Sequence, residues 1–306
     1  MTALPDARPD NWVDRFAPAG LRPWLKLGRF DRPAGIWLLM LPGWQGVALW
    51  ATERGRWPDW RLLALFALGA AVMRAAGCAY NDVVDRDIDA KVARTASRPV
   101  ASGRIGVRDA WIYITGLSLI GLAVLLQFHP IAIALGVSSL GLVAAYPFMK
   151  RITWWPQAWL GLTFNWGALL GYAATEGVLS APALLLYASG VAWTLGYDTI
   201  YAVQDLEDDA LIGVKSSARR LGPRAPQGVM AFYVVSAGLA LAAGLLAGLG
   251  PLFYAGWLLF TAHLLSQATR LRVDDPQRAL RLFRSNRDAG LLLFAAIALG
   301  SLPLPA

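Results

Sequence analysis

Cysteine and histidine are almost absent from this sequence of 306 residues, which contains one cysteine and two histidines. The single Cys78 excludes an intramolecular disulfide and a cysteine-rich metal site. His129 and His263 stand far apart in the chain, so each is expected in a loop or a helix interface rather than as a metal ligand. Neither cysteine nor histidine therefore indicates a metal site in this sequence.

Charged residues are also scarce, at 16% of the chain, whereas 57% of the residues are hydrophobic. This composition lies outside the usual range for a soluble domain and predicts an all-α, polytopic integral membrane protein. A helix needs about 17 to 25 apolar residues to cross a bilayer. Nine segments satisfy this requirement, at roughly 34–52, 61–80, 108–126, 131–148, 155–175, 181–204, 227–247, 251–269 and 289–304. The expected fold is one bundle of about nine transmembrane helices around a central cavity that opens to the cytoplasmic side.

Acidic residues are fewer than basic ones, 20 against 28, which gives a net charge of +8. With nine spans, 24 of the 28 basic residues fall on the side of the N-terminus, and only Arg54, Arg56, Arg61 and Arg74 do not. Cytoplasmic loops are enriched in lysine and arginine, so the pattern predicts a cytoplasmic N-terminus. The net charge then reflects loop bias and attraction to anionic lipid rather than nucleic-acid binding.

The first twenty residues are polar and contain proline, without the apolar core of a signal peptide. Residues 1–20 are predicted to form a mobile tail, and 21–306 a single transmembrane domain. Residues 21–33 alternate apolar and basic side chains, which indicates an interfacial helix on the cytoplasmic surface. An alternative for this segment is that Arg29 and Arg32 point into the active site. The expected location is a bacterial inner (plasma) membrane.

An acidic segment follows the second predicted span without a break. Asp82, Asp85 and Asp89 lie on one side of the helix if it continues through them. Such a cluster repels itself unless it holds a cation, and oxygen ligands suit Mg²⁺, which often shares its site with substrate phosphates. Arg94 and Arg98 follow and could bind phosphate oxygens.

A second acidic segment ends the sixth predicted span. Asp198 precedes Asp205 by two turns and should lie within the membrane, where an ionisable residue is a functional candidate. Asp205 and Asp209 are spaced i, i+4, while Glu207 and Asp208 between them are expected to be solvated loop charges. The topology places both acidic segments on one membrane face, as in an internal repeat. Together they could hold two Mg²⁺ ions that bridge a lipid diphosphate, with Arg94, Arg98 and Lys215 around it.

Several ordered motifs resemble those of the UbiA superfamily of membrane prenyltransferases. They are Asp31-Arg32-Pro33-x-Gly35, Asn81-Asp82-x-x-Asp85-x-x-x-Asp89, Arg94-Thr95-x-x-Arg98-Pro99, Tyr146-Pro147-x-x-Lys150-Arg151, Pro156-Gln157, Tyr197-Asp198-Thr199-x-Tyr201-Ala202, Asp205-x-x-x-Asp209, Lys215-Ser216 and Ser285-Asn286. The resemblance covers about residues 26–300. It departs at Leu206, where a polar residue is expected.

This resemblance implies a Mg²⁺-dependent enzyme that transfers a polyprenyl group from polyprenyl diphosphate to the ring of 4-hydroxybenzoate, at C3, in ubiquinone biosynthesis. The implied metal ligands are Asn81, Asp82, Asp85, Asp89, Asp205 and Asp209. The implied catalytic residues are Asp82, Asp85, Asp198, Asp205 and Asp209, and the implied substrate-binding residues are Asn81, Arg32, Arg94, Arg98, Tyr146, Lys150, Arg151 and Lys215. Arg151 is the candidate for the benzoate carboxylate, and Asp198 for orienting the phenol or taking a proton.

Two alternatives remain open from the sequence. Prenyltransferases for haem, chlorophyllide, homogentisate or naphthoate share the aspartate clusters, although the Tyr146 and Tyr197 motifs favour hydroxybenzoate. A cation-coupled transporter would also carry carboxylates within the membrane. Basic residues beside both acidic segments favour a phosphate ligand over a bare cation.

Overall fold

The computed structural model describes residues 11–91, 95–206 and 213–302, and this part of the chain is helical with no strand. The helices are α1 (Trp12–Phe16), α2 (Arg22–Leu27), α3 (Ala34–Thr52), α4 (Trp60–Val84), α5 (Arg86–Asp89), α6 (Val107–Leu125), α7 (Pro130–Ile152), α8 (Pro156–Ala173), α9 (Ala181–Ala202), α10 (Ser217–Leu221), α11 (Ala225–Leu246), α12 (Pro251–Arg270), α13 (Pro276–Arg284) and α14 (Asn286–Leu299). Short 3₁₀ turns cover Val203–Asp205 and Gly222–Arg224.

A helix occupies each of the nine segments predicted to span a membrane. Within the described residues, five stretches are long and apolar enough to cross one, and they are Ala34–Thr52, Trp60–Val84, Val107–Leu125, Pro130–Ile152 and Ser217–Leu246. The prediction of an all-helical membrane protein is therefore confirmed. The count of nine spans and the cytoplasmic opening stay predictions.

The chain divides into two compact units, and the first comprises Met1–Trp37 and Ala67–Gln127. Its apolar core includes Leu27, Ala79 and Val83. Gly28 lies so close to its neighbours that a Cβ atom there would come within 2.6 Å of the Tyr113 hydroxyl and 2.9 Å of Ala75. The turn after α2 therefore packs directly on α4 and α6.

The second unit comprises Leu38–Phe66 and Phe128–Ala306. Its core surrounds α9, where Trp193, Tyr197 and Ile200 are at most 1% exposed. Helices α3 and α8 approach at backbone distance, since a Cβ at Gly171 would lie 2.3 Å from the Gly43 carbonyl oxygen. Gly167 and Gly171, four residues apart on α8, both face Gly43, which is the small-residue spacing that permits close helix contact.

The predicted interfacial segment contains only a short helix. Helix α2 ends at Leu27, and Arg29 follows with a φ of 60°, in the left-handed region. Among the described residues, Arg29 is the only one other than glycine with a positive φ. An L-residue in this conformation costs roughly 1 to 2 kcal/mol, so the surrounding structure must enforce it.

Candidate active site

The first acidic segment begins inside α4 and continues past its end. Asn81 and Asp82 belong to the last turn of α4, Asp85 follows it, and Asp89 ends α5. The expected uninterrupted helix is absent here, because the backbone of Asp85 leaves the helical region at φ −96° and ψ 2°. The amides of Asp85 and Asp89 nevertheless still bond to carbonyls four residues earlier, at 2.9 and 2.8 Å. The helical spacing of the carboxylates therefore largely survives the break.

All three carboxylates are buried, with Asp82 and Asp85 at 0% and Asp89 at 6% exposure. Among the described residues, the guanidinium groups of Arg29 and Arg98 contact Asp82 and Asp89. Arg29 Nη2 donates to Asp82 Oδ1 at 2.7 Å, and Arg98 Nη1 contacts Asp89 Oδ2 at 2.7 Å and Asp82 Oδ1 at 3.4 Å. Arg98 thus lies beside the cluster and bridges carboxylates seven positions apart, while its predicted contact to phosphate stays a prediction.

The chain after α5 holds Arg98 in place. Thr95 Oγ1 donates to the Asp89 carbonyl at 2.9 Å, and the Arg98 amide donates to the Thr95 carbonyl at 2.9 Å. Through these two bonds, Thr95 connects Arg98, three residues later, to the end of α5. The other predicted phosphate ligand in this segment, Arg94, lies outside the described residues.

The electrostatics of the cluster favour an added cation. Burial raises the pKa of the Asp89 carboxyl above its ordinary value, Arg98 opposes this shift, and the Asp82 and Asp85 carboxylates raise the pKa further. Burial and like charge both disfavour an ionised carboxylate. Nearby arginines therefore offset only part of the cost of three buried acids.

The donor chemistry of this cluster fits a hard divalent ion. Asp82 Oδ2 is buried, and no donor in the described part of the chain reaches it. Carboxylate oxygens are the ligands that Mg²⁺ prefers. As the side chains lie, however, no three His, Cys, Asp or Glu residues among those described are grouped to hold a metal ion. Arginine occupies the remaining Asp82 oxygen, so metal binding requires the carboxylates to reorient.

The second acidic segment belongs to the second unit. Asp198 is half-buried on α9, and Asp205 is 9% exposed in the 3₁₀ turn that follows α9. Asp209, together with Glu207 and Asp208, lies outside the described residues, so the predicted Asp205–Asp209 pairing stays a prediction.

Two predicted basic residues meet at the end of α7. The Lys215 amide donates to the Lys150 carbonyl at 3.0 Å, and Lys215 Nζ donates to the Ile152 carbonyl at 3.2 Å. Arg151 is exposed, with its guanidinium carbon 5.9 Å from the centre of the Phe148 ring. Tyr146 lies half-buried on the same helix. The structure thus brings the Lys150-Arg151 and Lys215 motifs together.

Hydrogen bonds join two further motifs to this region. Gln157 Oε1 accepts from the Ser217 amide at 3.0 Å, and the hydroxyls of Ser217 and Thr199 lie 2.6 Å apart. These bonds connect α8, α9 and α10. The Pro156-Gln157 and Lys215-Ser216 motifs therefore have a structural role beside the second acidic segment.

Two other predicted arginines have neighbours in the first unit. Arg32 pairs with the adjacent Asp31 at 3.2 Å. Arg74, within α4, donates to Cys78 Sγ at 2.7 Å and fills the space that a Cβ at Gly35 would take. The glycine of the Asp31-Arg32-Pro33-x-Gly35 motif is explained by this close approach.

Sequence analysis missed a buried neutral network in the second unit. Asn286, at 0% exposure, accepts from Trp193 Nε1 at 2.8 Å and donates to Gln267 Oε1 at 3.0 Å. Gln267 also accepts from the Tyr233 hydroxyl at 2.7 Å and donates to Ser285 Oγ at 3.1 Å. Polar residues within apolar helices were the available signal, but their partners lie far away in the sequence.

Curated relatives align with most of the length of this chain. The chain is 47% identical over 287 residues to the mitochondrial 4-hydroxybenzoate polyprenyltransferase of Homo sapiens, covering 94% of this chain and 77% of that protein. The enzyme of the same name from Arabidopsis thaliana is 43% identical over 300 residues, with coverage of 95% and 71%. That from Aedes aegypti is 48% identical over 282 residues, and this chain spans 64% of its length.

These relatives correct the predicted location. They are named as mitochondrial enzymes of animals and a plant, so they point to a mitochondrial membrane, and the expectation of a bacterial inner membrane is wrong. The loop bias of basic residues reports which side of a membrane a loop occupies. It carries no information about which membrane that is.

Solved structures share the fold. The apo structure of a UbiA homolog from Aeropyrum pernix K1 is 26% identical, covers 87% of this chain and 98% of its own, and aligns with a TM-score of 0.72. A UbiA homolog from Archaeoglobus fulgidus, solved with GPP and Mg²⁺, aligns with a TM-score of 0.65 at 18% identity, covering 92% of this chain and 100% of its own. A profile of the UbiA prenyltransferase family matches residues 39–298. With buried aspartates at a membrane-helix end and this match over most of its length, the chain belongs to the UbiA prenyltransferase family.

Proposed function

We propose that this protein transfers a polyprenyl group from polyprenyl diphosphate to the ring of 4-hydroxybenzoate, at C3, and releases diphosphate in ubiquinone biosynthesis. The observation that carries the proposal is the buried cluster of Asp82, Asp85 and Asp89 with Arg29 and Arg98 against it. Clustered carboxylates suit a divalent metal, and guanidinium groups suit phosphate oxygens. The names of the relatives supply the acceptor and the donor.

The membrane arrangement that we propose has nine spans, with the N-terminus and both acidic segments on the side of the basic loops. Residues 21–306 then form one transmembrane domain, preceded by a mobile tail over 1–20. The helix found in each predicted segment supports this arrangement. A cavity that opens on the side of the basic loops would admit 4-hydroxybenzoate from water and the isoprenoid chain from lipid.

For the donor, Asn81, Asp82, Asp85 and Asp89 are the proposed ligands of magnesium, and Asp205 and Asp209 in the second acidic segment the proposed further ligands. Magnesium at such ligands neutralises the charge that develops on a departing diphosphate. The protein's own contribution is to hold the carboxylates in a buried place where water is excluded. Arg98, Arg94 and Lys215 are the proposed contacts to phosphate oxygens.

For the acceptor, Arg151 is the proposed partner of the benzoate carboxylate, because a planar guanidinium matches a carboxylate in two parallel hydrogen bonds. Lys150, Tyr146 and Arg32 are proposed substrate-binding neighbours. Asp198 is the proposed residue for orienting the phenol or taking a proton, and its half-buried position on α9 supports this role.

The reaction breaks the bond between the allylic carbon and the diphosphate oxygen, and the electron pair leaves with diphosphate. The ring carbon next to the hydroxyl forms the new carbon–carbon bond to the allylic cation. The ring then loses the proton from that carbon, which restores its aromaticity. Aromatic faces and a dry site stabilise such a cation.

The test is to incubate purified protein with Mg²⁺, a polyprenyl diphosphate and 4-hydroxybenzoate, and to identify products by mass spectrometry. We expect a C3-prenylated hydroxybenzoate and one diphosphate per product. A panel with homogentisate and a dihydroxynaphthoate in place of hydroxybenzoate checks the acceptor. No prenylated product from any acceptor, together with cation uptake by vesicles that contain the protein, would replace the enzyme with a transporter.

A further inference from the structure

We propose that Arg29 is a positioning residue that neutralises Asp82 while the site is empty and moves to a phosphate oxygen when a magnesium diphosphate enters. This inference rests on the proposed function. It adds a role for a residue outside the acidic motifs, and it explains how buried carboxylates that are paired with arginine become available to a metal ion.

The backbone conformation of Arg29 supports the proposal. Arg29 follows the end of α2. The amide of Phe30, the next residue, donates a hydrogen bond back to the carbonyl of Leu25 at 2.9 Å. This is the position after a helix at which glycine is the usual residue, because φ is positive there. Arginine at φ 60° retains an unfavourable backbone for the sake of its side chain.

The packing on both sides of Arg29 also supports the proposal. Directly before Arg29, Gly28 packs against Tyr113 and Ala75 so closely that it admits no side chain. Trp12 Nε1 also donates to the carbonyl of Phe30 at 2.8 Å, directly after Arg29. Contacts on both sides of Arg29 therefore fix the position of its Cα. A movement of Arg29 is then a rotation of its side chain.

The two carboxylate oxygens of Asp82 differ in their contacts. Both Arg29 and Arg98 contact the same oxygen, Oδ1, at 2.7 and 3.4 Å. The other oxygen, Oδ2, is buried and receives no hydrogen bond from any described residue. A fully buried carboxylate that is satisfied on one side only is a costly arrangement unless a ligand completes it.

An exchange of partners follows from these contacts. The diphosphate brings oxygen acceptors that suit a guanidinium at least as well as a carboxylate does. When Arg29 turns to a phosphate oxygen, its 2.7 Å contact to Asp82 Oδ1 is released. That oxygen then keeps only the longer contact to Arg98, at 3.4 Å, and the Asp82 carboxylate can turn to the metal. The strained turn keeps the guanidinium within reach of both partners.

The first experiment measures binding of inorganic pyrophosphate with Mg²⁺ to detergent-purified protein by calorimetry. Arg29→Gly relieves the backbone and removes the cation, and Arg29→Lys keeps a charge without the planar fork. We expect the dissociation constant to rise about tenfold or more in Arg29→Gly and less in Arg29→Lys. Lys26→Ala is the matched control, because Lys26 is a cation on α2 that pairs with Asp14 at 2.7 Å; its binding should equal that of wild type.

The second experiment isolates the exchange from a merely structural role. Without metal, in EDTA, Asp82→Asn should bind pyrophosphate more tightly than wild type, because the ion pair between Arg29 and the Asp82 carboxylate is lost. The gain should disappear in Asp82→Asn with Arg29→Gly. If Arg29 only supported the turn, thermal stability without ligand would change while pyrophosphate bound equally well in all variants, and this result would overturn the proposal.

The two proposals fail in different ways. A wild-type protein that prenylates hydroxybenzoate while Arg29→Gly binds magnesium pyrophosphate as wild type does would refute the role of Arg29 alone. A wild-type protein that neither binds magnesium pyrophosphate nor forms product would refute the proposed function, and the role of Arg29 with it.

Discussion

Charged pairs hold the end of α4 in the first unit, whereas neutral amides and hydroxyls hold α9 in the second. Asp82 and Asp89 are bound to arginines, and Trp193 on α9 is bound to Asn286. A charged group in an ion pair can exchange its partner for a charged ligand. A closed network of neutral groups contains no charged partner that a diphosphate could replace. The difference indicates that the ion pairs at the end of α4 can respond to substrate, whereas the network around Asn286 is a fixed support.

The largest expected effect tests the charged side of this comparison. Asp85→Asn should lower turnover about a hundredfold or more, because it removes a proposed metal ligand and its charge. Its stability should change little beside this loss. Prenyl transfer assays with the purified variant measure the effect, and Asp274→Asn is the control, since Asp274 is exposed and pairs only with Arg272 among the described residues. Turnover near wild type in Asp85→Asn would remove this carboxylate from the mechanism.

The next effect tests the neutral side. Asn286→Leu should destabilise the protein by about 3 kcal/mol, because the Trp193 N–H loses its buried acceptor and Gln267 Oε1 loses one of its donors. Thermal unfolding in detergent measures the loss. We expect magnesium pyrophosphate to bind the folded variant nearly as it binds wild type. A large loss of binding with unchanged stability would show that the network belongs to the site and would break the contrast between the units.

Close packing within the second unit gives a smaller effect. Gly171→Ala places a methyl group against the Gly43 carbonyl and should cost about 2 kcal/mol of stability. Gly141→Ala is the matched control, because a Cβ at that helical glycine meets nothing within 4 Å, and this variant should be neutral or slightly more stable. Equal unfolding temperatures for the two variants would contradict the close contact of α3 with α8.

The smallest effect concerns an exposed charge in the second unit. Arg151→Gln should raise the KM for 4-hydroxybenzoate about tenfold and leave stability unchanged, because one bidentate contact to the carboxylate is lost. Arg272→Gln supplies a control for removing an exposed arginine. An unchanged KM would reject the role proposed for Arg151.

The helices were predictable because each apolar segment repeats one strong signal over many residues. Asp82, Asp85 and Asp89 were singled out for a different reason: carboxylates at helical spacing repel one another unless a cation binds among them. The break of the helix at Asp85 was missed, because no proline or glycine announces it. The left-handed backbone of Arg29 was equally hidden, since arginine is not a residue that sequence reasoning places there.

Long-range partners were also beyond the sequence. Asn286 and Trp193 are distant in the chain, and only the packing of their helices shows that they bond. The location of the protein was predicted wrongly for a different reason. Loop charge reflects an electrical asymmetry that several membranes share, so it cannot distinguish among them.

Helix α4 has 25 residues, and at 1.5 Å of rise per residue it is roughly 37 Å long. The hydrocarbon layer of a bilayer is only about 30 Å thick. We expect this surplus length to bring Asn81 and Asp82 to the level of the phospholipid head groups, the depth at which an isoprenoid diphosphate would keep its own polar end. Substrate and carboxylates are thereby brought to one level by the lipid itself, so turnover in vesicles should fall as acyl chains are lengthened or shortened away from the native thickness.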